Sequence, residues 1–141
     1  MSNELMNIDE KVFNGSFTTI ECRDKQSAAK VYNAATGKCE SLRENVNKVI
    51  PMQHLYIEKV HRKVRDEKGD ETGEVQEANR TVIISADGKN YSTCSKGIYS
   101  ALKRIISIFG MPEDWENGVL EIIPVIISTG KGQVLSLKVN E

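Results

Sequence analysis

The segment 81–125 reads, in order, as a hairpin, a helix and another strand, and few folds accommodate that order. Residues 81–85 are a β-branched run, Asp87-Gly88 is a strong two-residue hairpin signal, and residues 89–94 return as a second strand. A helix follows at once. Ser95 is placed to cap it, and Ile98, Ala101, Leu102, Ile105 and Phe109 recur three or four residues apart. One apolar stripe therefore faces a core until Gly110 and Pro112 end the helix.

The flanks supply the remaining strands. Residues 52–64 form a long extended segment with Leu55 and Ile57 on one face and His54 and Tyr56 on the other. Val60 and Val64 fall in the opposite parity to Leu55 and Ile57, which predicts a bulge or twist near Glu58 or Lys59. Residues 65–79 hold two glycines and six acids and read as a solvated, mobile loop. Residues 118–127 are a nearly continuous apolar strand interrupted by Pro124, which implies an edge or a bulge. Gly130-Lys131-Gly132 turns the chain, and residues 134–139 alternate with Leu135, Leu137 and Val139 inward. A helix between the third and fourth of five strands is the arrangement of a Greek-key OB barrel, so a mostly β, five-stranded OB-fold domain is expected over residues 18–141.

Before the first long strand, Ala28, Val31, Tyr32 and Ala35 share one face of a short helix over residues 24–36, with Gly37 as its stop. Leu42, Val46 and Val49 keep the same spacing and predict another turn or two over residues 41–49. Residues 1–17 show no period that holds and are expected to be a flexible arm. Its apolar residues Leu5, Met6, Ile8, Val12 and Phe13 are candidates for docking on a neighbouring copy, against the alternative of a disordered terminus.

With 141 residues, 39% of them hydrophobic, the chain is one domain with a modest core. No apolar run reaches the roughly 18 residues of a membrane helix, and residues 1–10 are not a signal peptide, so a cytoplasmic protein with no membrane contact is expected. Cys22, Cys39 and Cys94 are odd in number and widely spaced, which argues for reduced thiols rather than a disulfide framework or a zinc site.

The net charge of −1 hides a block pattern. Residues 25–64 carry a net +5 and residues 81–110 a net +3, while residues 1–24, 65–80 and 111–141 each carry −3. Basic excess thus coincides with the first three long strands and the helix, which permits a cationic face.

Catalytic constellations are missing from this pattern. His54 and His61 are seven apart, hence on opposite faces of a straight strand, which argues against a shared metal. The Gly-Lys pairs at Gly37 and Gly130 lack the rest of a phosphate loop, and the acid pairs Asp70-Glu71 and Glu113-Asp114 sit in exposed loop sequence. No enzyme, cofactor or metal is expected. What remains is binding of a polyanion, in which cations follow phosphates and flat side chains stack on bases. The candidates are His54, Tyr56, Lys59, Arg62 and Lys63 on the first long strand, Arg80 at the start of the second, and Lys89, Tyr91 and Thr93 on the third. Lys131 in the last turn completes the set. Tyr56 and Tyr91 are open between core and ligand, Trp115 reads as a plug on the barrel end, and Tyr32, Tyr99 and Phe109 read as core. With 6% aromatics, phosphate contacts should dominate affinity.

The run Ala86-Asp87-Gly88-Lys89-Asn90-Tyr91, then Gly97, Ala101-Leu102-Lys103, Ile108-Phe109-Gly110, Pro112 and Trp115, resembles the single-stranded DNA-binding proteins of Gram-positive phages and conjugative plasmids. The resemblance spans most of the chain from about residue 18 and is strongest over residues 81–115. It implies an OB fold, a role in replication or transfer of the element, no cofactor, and Lys89 and Tyr91 as contacts. Residues 138–141 are not the acidic recruiting tail common among cellular single-strand binders, so recruitment of host replication proteins by that route is not expected. The expected function is sequence-tolerant binding of single-stranded DNA by a homo-oligomer joined through the arm, with duplex DNA or RNA open as further ligands. The rival from another class is an OB-like protein-interaction module that does not touch DNA.

Overall fold

The structure, a computed structural model, describes residues 2–141, with the side chains of residues 2–7 and of Arg62 outside the described set. The chain runs α1 (Ser2–Phe13), β1 (Ser16–Thr18), α2 (Lys25–Thr36), β2 (Glu40–Ser41), β3 (Ile50–Arg65), β4 (Glu71–Ser85), β5 (Asn90–Thr93), α3 (Lys96–Phe109), β6 (Leu120–Thr129) and β7 (Gly132–Val139). The architecture is mostly β with a few helices. One sheet has the order β2-β5-β4-β3-β6-β7, and β1 joins a second partner edge of β3. A single edge of β3 thus serves β6 at residues 50–52 and β1 at residues 56–58, with a register shift between Met52 and His54 where the strand bends.

Period-two alternation sorts the sheet into two faces. Leu55, Ile57, Ile83, Tyr91, Ile122 and Leu135 point inward to the main core, where Ile98, Leu102 and Ile106 of α3 and Ile8 and Val12 of α1 meet them. Val82 and Ile84 point the other way, into a smaller cluster with Ile20 and Ala34 under α2. The central helix follows its sequence signals: the Ser95 hydroxyl accepts from Ile98 N–H, and Gly110 N–H closes the end onto Ile106 O. It lies so close to β7 that a Cβ at Gly97 would come within 2.2 Å of Leu135 O. Trp115 plugs one end as expected, 6% exposed with Nε1 donating to Gly110 O at 3.0 Å.

Several expectations are corrected. Residues 65–79 are not a mobile loop: β4 begins at Glu71 and pairs with β3 out to Arg65, leaving only residues 66–70 as the turn. Polar, β-capable residues such as Thr72 and Gln76 build an exposed two-stranded ribbon, and low apolar content marked exposure rather than irregularity. No bulge falls at Glu58 or Lys59, where the register runs unbroken; the shifts lie at Met52/His54 and Lys63/Arg65. Val60 and Val64 change parity because the ribbon has left the main core by then.

The segment before β1 carries a helix not expected from the sequence. Residues 2–13 form a helix whose Ile8 and Val12 are 1% and 2% exposed in the protein's own core. The spacing Leu5, Ile8, Val12 is helical and was the overlooked signal. Leu5 and Met6 have side chains outside the described residues. Helix α2 is present, capped by Asp24 and Ser27, but Tyr32 faces solvent at 68% exposure and Ala34 faces the sheet. Residues 41–49 make only a single short turn at Arg43–Asn45, with Leu42 buried. At the Asp87-Gly88 hairpin, Gly88 alone has positive φ, +86°, and Ser85 N–H pairs with Lys89 O, so the loop is three residues long.

Candidate nucleic-acid interface

The outer face of the sheet carries the first group of candidate residues, and α2 covers it. His54 is half-buried; Thr19 Oγ1 lies 3.0 Å from its Nδ1 and also accepts from Leu55 N–H. Burial, reinforced by the charge of Lys30, holds the imidazole below its ordinary pKa. It is therefore a neutral hydrogen-bonding group near pH 7, not a cation for phosphate. Tyr56 packs on the small cluster under α2, and its hydroxyl donates to Glu58 Oε1 at 3.0 Å. Arg80 is spent on structure: its guanidinium donates to Ala35 O at 2.9 Å, to Glu58 Oε2 at 3.2 Å and to Cys39 Sγ at 3.7 Å. Those bonds pin the end of α2 to β4.

Tyr91 is fully buried and offers no ring face on which a base could stack. Its hydroxyl accepts from Lys48 Nζ at 2.8 Å and donates to Asp87 Oδ2 at 3.1 Å. Strand alternation and the family resemblance both point to Tyr91 as a contact, but its face of β5 is the core side. Neighbouring Lys89 is exposed and pairs with Glu40 at 3.5 Å, and Thr93 accepts from Ser95 N–H at 3.1 Å as α3 begins. Lys131 is exposed in the β6–β7 turn.

The ribbon changes the meaning of the charge blocks. Acids that follow the basic block in sequence fold back to lie opposite it: Lys59 and His61 meet Glu77 at 3.8 and 3.5 Å, and Lys63 and Arg65 meet Glu71 at 3.6 and 3.8 Å. Lys59 and Lys63 of the +5 block thus gain acid partners from the −3 block across the ribbon, whereas other lysines of the same block do not. The side chain of Arg62 lies outside the described residues. Among the described residues, Lys25, Lys30 and Lys38 in and beside α2, Lys96 and Lys131 have no ion-pair partner.

The nine candidate residues whose side chains are described therefore do not converge. His54 borders a cleft of about 830 Å³ beside Phe17, Thr19 and Pro112, Lys63 a second of about 470 Å³ with Arg65 and Gln76, and Lys59 a third of about 370 Å³ between α1, the ribbon and the start of α3. Phe13, 73% exposed, forms one wall of this third cleft, with Lys59 Nζ 4.3 Å above its ring. Tyr99, half-buried, forms another, with Lys96, Gln76 and Asn79 at the rim. Sequence reasoning placed Phe13 in a self-association arm and Tyr99 in the core. The overlooked signal for Phe13 was its position one residue past the buried Val12, off the apolar stripe of α1. Of the residues proposed for self-association, Ile8 and Val12 are committed to the protein's own core.

Among the described residues no three His, Cys, Asp or Glu side chains gather as a metal site, and no helix is long and apolar enough to cross a membrane. Cys22, Cys39 and Cys94 are free thiols.

The model of a family of phage single-stranded DNA-binding proteins, of the phi29 type, matches residues 8–140. No match is found among curated proteins or among solved structures. The matched span takes in all seven strands, α2, α3, the buried half of α1 and the whole cleft beside Phe13. This chain belongs to the phage single-stranded DNA-binding protein family, whose members are DNA-binding proteins rather than enzymes.

Proposed function

We propose that this chain binds single-stranded DNA without sequence preference through an OB-type barrel, coating the strand as a homo-oligomer during replication or conjugative transfer of a phage or plasmid. The family match over residues 8–140 carries the reading. Two structural features support it. The five longer strands follow the order β5-β4-β3-β6-β7, with α3 inserted between β5 and β6, in the manner of a Greek-key OB sheet. Several lysines without ion-pair partners among the described residues, Lys25, Lys30, Lys38, Lys96 and Lys131 among them, are available for phosphates. With Ile8 and Val12 buried in their own copy, self-association through the N-terminal segment would fall to residues ahead of Ile8.

The test is fluorescence anisotropy with a labelled oligothymidine, run beside duplex DNA and RNA of equal length. Binding at low salt, with log affinity falling against log salt by about 0.7 per phosphate engaged, is the expected result. Absence of binding to the oligothymidine at low salt rejects the reading. Light scattering on a long oligothymidine tests the coating: protein mass should rise in steps with strand length.

A further inference from the structure

We propose that the cleft between α1, the β3/β4 ribbon and the start of α3 is a base-stacking subsite, where an unpaired nucleobase lies against Phe13 and the adjoining phosphate meets Lys96. The proposal rests on the single-stranded DNA reading and names where the first contact with a base is made.

Phe13 is the most exposed large apolar side chain among the described residues, at 73%. Yet it does not hang free: it closes α1, one residue after buried Val12, and Lys59 Nζ stands 4.3 Å above the ring. A flat, exposed, positionally fixed ring is what a sequence-tolerant stacking platform needs, since every base offers a π-face. The surrounding volume of about 370 Å³ falls within the roughly 300–1,000 Å³ usual for small-ligand sites. Gln76 and Asn79 at the rim carry amides that both donate and accept, so they serve the edges of any base.

The cleft's two acids do not oppose a polyanion. Asp9 is held by the Tyr99 hydroxyl at 2.5 Å and by Lys103 at 3.1 and 3.2 Å. Glu77 lies between Lys59 at 3.8 Å and His61 at 3.5 Å. Lys96 is exposed, lines the same cleft and has no ion-pair partner among the described residues. Lys59 and Lys96 thus balance Asp9 and Glu77 in formal charge along the wall, and Lys103 behind Asp9 adds a positive charge to it.

The experiment uses the full chain with Phe13→Ala, Phe13→Trp and Lys96→Ala, each checked by thermal melting. The ligand is an oligothymidine of about six nucleotides, short enough to engage one copy. Phe13→Ala should weaken binding on the order of tenfold or more with an unchanged salt slope, because stacking releases no counterions. Lys96→Ala should lower the slope by about 0.7. Phe13→Trp should retain affinity, and its emission should be quenched by the oligonucleotide, against a background from Trp115, which is buried. If the wild type binds while Phe13→Ala binds equally well and the new tryptophan ignores DNA, the subsite is refuted and the DNA reading stands. If Phe13→Ala weakens binding only to long strands, Phe13 joins copies and the subsite is again refuted. If the wild type itself binds no oligothymidine, both fall together.

Discussion

The Tyr99 hydroxyl donates to Asp9 Oδ1 at 2.5 Å, joining two residues separated by 90 positions in the chain. Lys103, one turn further along α3, gives Asp9 a second partner at 3.1 Å and lies 4.8 Å over the Tyr99 ring. This small cluster fixes α1 against α3 and sets the walls of the Phe13 cleft.

Replacing Asp9 by Asn should loosen α1 without unfolding the sheet. The hydrogen bond from Tyr99, followed by Lys103, holds the Asp9 carboxyl below its ordinary pKa, so its contribution is complete above that value and fades as acidification protonates it in the folded protein. Burial and the Asp9 bond push the Tyr99 phenol above its ordinary value, so its contribution is complete below about pH 10 and is lost as pH climbs through the raised value. Between those limits Asp9→Asn should cost about 1 kcal/mol, given that the pair is partly exposed. Urea denaturation across pH, with hydrogen exchange of the α1 amides, reads both effects.

Tyr91→Phe is expected to destabilise by about 1–2 kcal/mol, because the hydroxyl's two bonds vanish within a buried setting. DNA affinity should stay unchanged, since the ring faces the core. Parallel urea and anisotropy titrations check this; a loss of affinity at constant stability would contradict the burial.

Arg80→Gln should cost about 2 kcal/mol by leaving half-buried Glu58 without its cation and Ala35 O without its donor. Lysine should not rescue it, because one ammonium cannot reproduce a planar fork that reaches α2 and Glu58 at once. Raised hydrogen exchange confined to α2, measured in both variants, is the matching signature.

Gly97→Ala should be costly although its backbone is not in a left-handed conformation. A methyl there would meet Leu135 O at 2.2 Å and Val134 Cγ1 at 2.8 Å, so α3 must lift from β7. Overpacking of that kind costs about 1–3 kcal/mol, and a lowered urea midpoint with an unchanged slope would show it. Wild-type stability would mean the helix can shift freely.

The long strands, the cap at Ser95 and the stripe of α3 through Ile98, Leu102 and Ile105 were legible because each depends on residues within a few positions of one another, whereas Phe109, read as core, is 40% exposed at the helix end. The ribbon was not legible. Residues 71–79 carry few apolar side chains and looked like loop, while their strand state comes from pairing with residues 59–65 that no local pattern announces. Pro124 was read as marking an edge or bulge, and its carbonyl accepts from Asn47 N–H at 2.7 Å, beyond the stretch of β6 that pairs with β3.

Local alternation determined which residues share a face, and the family resemblance in residues 81–115 determined the class of protein. Only the tertiary structure decided which face was covered. Tyr91 went inside because its face of β5 looks into the main core, Arg80 was consumed by the docking of α2, and Lys59 and Lys63 of the basic block met acids when β4 returned alongside β3. Phe13 stayed outside because the i, i+4 pair Ile8 and Val12 turned the apolar stripe of α1 into the core and left the next residue facing the cleft. Exposure is a property of what arrives from elsewhere in the chain, and spacing along one element carries no record of it.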